Sequence, residues 1–146
     1  MRFFTLIKII FILSFCFLFS FKAQSKEALL QHKEKYQAIV LGEITESTVK
    51  KKETYYITEY KLKIKDWLFK RPLIQETNLI TIRVLGADIP EKGIVIKAST
   101  TPDYIPLKRN AIFLLENLRK KEKNIFTITQ NGILPASKLK ELKKEI

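Results

Sequence analysis

The stretch "TYYITEYKLKIKDW", residues 54–67, decides the fold. Tyr56, Tyr60, Leu62 and Ile64 share one parity, and Glu59, Lys61, Lys63 and Lys65 share the other. A strand turns successive side chains to opposite faces, so this alternation predicts one long strand with a buried face and a wet face, the signature of antiparallel sheet. "LFKRP" ends it, because Pro72 has no N–H to give to a ladder.

Upstream, "QAIVLGEITEST" (37–48) reads as a strand with Gly42 inside it, and an interior glycine marks a bulge or a sharp coil. The lysines at 50–52 read as the turn between the two. Downstream, "NLITIRVL" (78–85) is a third strand, "GADIPEKG" (86–93) a loop and "IVIKA" (94–98) a fourth strand. Pro102 and Pro106 keep the next segment irregular. "AIFLLENL" (111–118) is an apolar run buried on both sides, "RKKEKN" a charged turn, and "IFTITQNG" (125–132) a last arm closing on "ILP". Short amphipathic helices are predicted at both ends, over 26–36 and 136–146. The expected fold is mainly β: a small antiparallel OB-like barrel of five or six strands with short N- and C-terminal helices.

The first 25 residues read as an address. Arg2 and Lys8 precede an uncharged apolar run of 13 residues, Ile9 to Phe21. A membrane-crossing helix needs about 20 apolar residues and the core of a secretory leader only about 7–15. Small Ala23 and Ser25 then stand where a signal peptidase inspects the chain, so cleavage before Lys26 is expected. The alternatives are an uncleaved anchor that draws in residues 1–8 with Arg2 snorkelling, and lipidation at Cys16, against which bulky Phe15 counts. Cleavage leaves residues 26–146 as one domain, no stable membrane span, and a periplasmic or extracellular destination. Cys16 is the single cysteine, so the processed chain would hold no thiol and no disulfide.

The chain carries 27 basic and 15 acidic residues, and 22 of the 27 are lysine. Removing Arg2, Lys8 and Lys22 leaves 24 minus 15, or +9. Such a charge favours polyanions: nucleic acid, acidic glycan or anionic lipid. It equally describes surfaces solvated by lysine.

Catalytic constellations are not apparent. His32 is the single histidine and lies among charges; with one His and one Cys no usual zinc ligand set can be assembled. Asp66, Asp88, Asp103 and Glu116 fall near strand ends without paired spacing, and there is no P-loop or dinucleotide fingerprint. The expectation is a noncatalytic module that needs no cofactor and no metal. Its candidate binding surface is Lys61, Lys63, Lys65, Trp67, Phe69, Lys70 and Arg71, and its partner another protein or an envelope component. The alternative is a polyanion laid along the basic strand face. Parity turns Tyr56 and Tyr60 inward, away from the lysines; for Trp67 and Phe69, packing under a loop and exposure at a partner site both stay open.

The order "AIVLGEITES", "ITEYKLKIKDWLFK", "NLITIRVLG", "PDYIPLKRNAIFLLENL" and "NGIL" resembles a family of exported bacterial domains over residues 38–134. The resemblance implies an OB-like barrel similar in shape to netrin and tissue-metalloproteinase-inhibitor modules, commonly of unassigned function. The chain departs from that pattern at Arg109 and Asn110, where the family bend has Gly-Glu, and at Lys70, where a turn has Gly. The inhibitors work through an amino-terminal cysteine, and the expected terminus here is Lys26, so their mechanism does not carry over.

Overall fold

The predicted long strand is the spine of a curled sheet. In the computed structural model, which describes residues 33–116 and 124–146, it runs from Tyr56 to Lys70 as β2. It pairs antiparallel with β1 (Ala38–Lys51) on one side and β3 (Leu79–Ile89) on the other. The turn between β1 and β2 lies later than the lysine run suggests: Lys50 and Lys51 belong to β1, and Lys52 N–H closes the turn on Tyr55 O at 2.7 Å. β3 likewise runs through the expected loop to Ile89, because β4 (Ile94–Lys97) pairs with residues 86–89.

β5 (Asn110–Leu115) lies antiparallel against the first half of β1. The last predicted arm divides in two. β6 (Ile125–Phe126) is followed by a turn in which Gly132 N–H donates to Thr129 O, and β7 (Ile133–Pro135) then adds to β5. β6 closes the circuit. On one side it pairs parallel with β3, Thr81 opposite Ile125 and Ile82 opposite Phe126. On the other, Glu116 and Thr127 exchange N–H···O bonds of 2.9 and 2.7 Å at the end of β5. Five strands in the circuit β1-β2-β3-β6-β5 thus make the expected OB-like barrel, with one parallel contact in an otherwise antiparallel wall. β4 and β7 extend its two edges.

One core fills the barrel. Val40, Ile44, Leu62, Ile80, Ile82, Phe113 and Leu115 are almost wholly buried and cluster with Phe126 and Ile128. β5 alternates Ala111, Phe113 and Leu115 into this cluster with Ile112 and Leu114, which are equally hidden on its other face, as its unbroken apolar run predicts. The C-terminal segment lies near that second face. A 3-10 turn at Ala136–Lys138 contacts β5 and leads into a short α1 (Leu139–Leu142), whose Leu142 is buried. Lys143 Nζ then reaches Asp66 Oδ2 on β2 at 2.9 Å. The predicted N-terminal helix falls mostly outside the described residues; its last described part, Lys33–Lys35, is a 3-10 turn.

Three register shifts between β1 and β2 curl the sheet, at Ile39/Val40, Leu41/Gly42 and Ile44/Glu46. Gly42 sits at one of them, where the sequence places a bulge. A Cβ there would lie 2.6 Å from Lys63 O and 2.9 Å from Leu62 Cδ1, so the close approach of β2 requires glycine.

Candidate functional site

The register shifts also decide which side chains of the sequence-predicted surface meet. Leu41 faces Asp66 and Gly42 faces Ile64, so Lys65 is an extra residue on β2 and the in-out alternation reverses beyond it. Lys61, Lys63 and Lys65 stay exposed on the outer face as expected. Trp67, two positions on, comes opposite Val40 and packs, partly buried, against the barrel core and not under a loop. A second shift places half-buried Phe69 opposite Ile39, with Lys70 opposite Ala38. Lys70 and Arg71 therefore gather at the strand end, apart from the three lysines.

Several of these cations are already engaged. Lys61 Nζ donates to Thr81 Oγ1 at 3.0 Å, and Lys65 Nζ donates to Asn110 Oδ1 at 2.6 Å and pairs with Glu43 at 3.4 Å. Lys70 reaches Glu76 at 3.5 Å, and Arg71 Nε donates to Tyr36 O at 3.2 Å. On the same sheet Glu59 takes Arg83 through Nε and Nη2 at 3.1 and 2.9 Å on one oxygen and Lys50 at 2.6 Å on the other. The hydrogen bond from Lys50, helped by Arg83 and opposed by partial desolvation, holds the Glu59 carboxyl below the usual carboxylate range. The outer face thus mixes lysine–carboxylate and arginine–carboxylate pairs with Lys61, which bonds the Thr81 hydroxyl, and with exposed Lys63.

The inner face of the same strands opens beyond the core into a groove that the sequence did not disclose. It is a cavity of about 390 Å³ walled by β1, β2, β3, β4 and the irregular segment 98–107. Tyr60 stands against the core at one end, and Tyr104 and Leu107 form a lip that is 67% and 49% exposed. Ile96 and Asp88 line the opposite side. The register shift at Ile44/Glu46 makes the groove possible, since it turns Ser47 and Val49 inward, where they line the wall. Thr58, the one buried polar residue among the described residues, gives its hydroxyl to Gly86 O at 2.9 Å and so ties β2 to the bend in β3. Gly86 has φ 109°, and a Cβ there would lie 2.2 Å from Ile96 O. Burial raises the Tyr60 hydroxyl pKa, the negative charge of Asp88 adds to the rise, and a hydrogen bond with Thr58 opposes it. The phenol therefore stays protonated, as a neutral donor at the groove floor.

The 98–107 wall escaped sequence reading because nothing in its pattern says that Pro102 and Pro106 are buried while Tyr104 between them is not. Of the four carboxylates near strand ends, Asp66 is tied to Lys143 and Glu116 belongs to the barrel seam through its backbone; Asp88 and Asp103 line the groove. His32 and Cys16 lie outside the described residues. Among the described residues no three His, Cys, Asp or Glu side chains gather as metal ligands would, and no helix is long and apolar enough to cross a membrane.

The architecture is that of a small OB-like barrel with an open, partly apolar groove at one end. No protein-family model matches the chain, and no curated protein matches it.

Proposed function

We propose that the protein is an exported, noncatalytic binding module that holds another protein or an envelope component in the groove between β4 and the 98–107 segment. The observation that carries this reading is the lip itself. Tyr104 and Leu107 are large apolar side chains held open to solvent over a concave wall containing Thr58, Tyr60, Asp88 and Ile96. Such a mix, apolar lining with a few polar groups, suits recognition. Export rests on the leader-like residues 1–25 and the small residues at Ala23 and Ser25.

A second reading, a polyanion along the basic outer face, draws on the net charge of +9 left after residues 1–25 (24 minus 15) and on Lys61, Lys63 and Lys65 lying together. The acidic partners of that face count against it. A photoreactive side chain placed at Tyr104 or at Lys63 in living cells separates the two. The groove reading expects a discrete adduct at Tyr104 that survives raised ionic strength. Adducts at Lys63 alone, weakening steeply with salt as counterion release requires, would replace it with the second reading. Mass spectrometry of the protein from the same cells should find Lys26 as its first residue; a soluble cytoplasmic chain that begins at Met1 would remove export.

A further inference from the structure

The two edges of the sheet are finished differently. β7 is three residues long and ends in Pro135, which cannot donate to a further strand. β4 ends the order at the other side, pairs with β3 on one edge, and pairs with no strand on its other edge among the described residues. Its sequence is Ile94-Val95-Ile96-Lys97, with no proline, and Val95 and Ile96 are 62% and 45% exposed. Lys97, the one charge on it, bends away to Asp103 O at 3.4 Å. Leu85, exposed on β3, adds apolar surface close by. An edge of this kind is a template for another strand.

We infer that the strand it takes is β4 of a second copy of this chain, paired antiparallel about a two-fold axis at Val95. A symmetric antiparallel pair requires one residue to face itself, so few registers exist. With Val95 facing Val95 of the partner subunit, Ile94 faces Ile96 of the partner subunit and Lys97 faces Gly93 of the partner subunit. All three apolar residues then meet apolar residues, and no like charges stand opposite one another. Centring on Ile96 sets Val95 against lysine, and centring on Ile94 sets Val95 against glycine; both lose apolar pairs. The side chains of β4 thus select the one register that uses the whole strand. Opposing this is the net charge, 24 minus 15 or +9 on residues 26–146, which makes the copies repel at long range. Added salt therefore strengthens the dimer, the reverse of its effect on a polyanion complex. The pairing uses the backbone edge of β4, whose Ile96 and Lys97 also line the groove, and it is argued from that edge and not from the groove reading.

Sedimentation velocity of the protein as recovered from its cells, over a range of concentrations at low and high salt, tests the inference. A monomer–dimer equilibrium that shifts to dimer with salt is expected. Val95→Lys, which sets two ammonium groups face to face, abolishes the dimer while the circular dichroism of the fold is kept. In a Cys16→Ser background, Val95→Cys forms a covalent dimer with a short bis-thiol reagent, and Lys63→Cys does not. A single monomeric species under all conditions overturns the inference. So does a dimer that persists in Val95→Lys, because self-association then runs through another part of the chain. Failure of Val95→Cys to cross-link a dimer that does form would refute the register. In Val95→Lys, which cannot pair through β4, adducts at Tyr104 report on the groove alone, so the two readings fail separately although Ile96 lines the groove.

Discussion

Gly42→Ala offers the sharpest test of how this sheet closes. An added methyl at Gly42 falls 2.6 Å from Lys63 O and 2.9 Å from Leu62 Cδ1. The leucine terminus can rotate away, but the carbonyl is fixed in the β1–β2 ladder, so the two strands must part where the sheet bends. Alanine also restricts the unfolded chain, which favours folding by about 0.4–1 kcal/mol at a site without strain. Overpacking a tight site costs about 1–3 kcal/mol, and the fixed carbonyl places this site toward the upper end, so the net loss is about 1–2 kcal/mol. For a domain of this size, between the small and mid-sized classes, that lowers Tm by roughly 3–12 °C. Urea unfolding followed by circular dichroism measures it directly, with Gly93→Ala as the comparison. Gly93 has φ 63° but nothing within 4 Å of a Cβ, so it reports the cost of the backbone conformation alone. A Gly42→Ala protein as stable as the parent, or stabilised, would refute the close approach of β2 and the closure argument with it.

The charge cluster at Glu59 should make stability depend on pH. Its folded pKa is depressed by Lys50 and Arg83, so its contribution is complete above the ordinary carboxylate value of about 4.3 and is lost as pH falls through the lower folded value. Glu59→Gln should flatten that acid limb in denaturation midpoints measured from neutral to strongly acid pH; an unchanged limb would assign it to other carboxylates. Thr58→Val keeps the shape but removes the bond to Gly86 O, and should cost about 1–2 kcal/mol. Faster amide exchange at the 86–89 end of β3 should accompany the loss.

The alternation at 54–67 carries much of the architecture, because period two survives wherever a strand has one wet face, and the lysines of β2 are where it places them. It fails beyond Lys65 for a reason that alternation cannot contain. A bulge adds one residue to one strand, and its position depends on how the partner strand coils, which here is fixed by Gly42 and the barrel radius. Trp67 therefore shares the parity of Lys65 in the sequence and the barrel interior in the structure. The groove was illegible for a related cause. Its walls come from strand ends and from a proline-broken segment whose burial depends on what it lies against. The last arm is legible as β only through Ile125–Thr129, which are β-branched or aromatic, while the polar run Gln130–Gly132 marks the turn without saying which strand Ile133–Pro135 joins.

The barrel is shut by a clasp only two residues wide. Phe126 and Ile128 are core side chains, yet the wall that carries them is held by a two-residue register to β3 and one bridge to Glu116. Ile125 lies 44 positions along the chain from its neighbour Thr81, whereas β1, β2 and β3 follow one another through short reversals. Joining distant parts of a chain costs entropy before any contact rewards it, so the meander can assemble before β5 and the clasp are added, β5 pairing with β1 from Glu43↔Asn110 to Ala38↔Leu115. So short a seam is expected to open before the long hairpin ladders do, which amide exchange faster at Phe126 than at Leu62 would show.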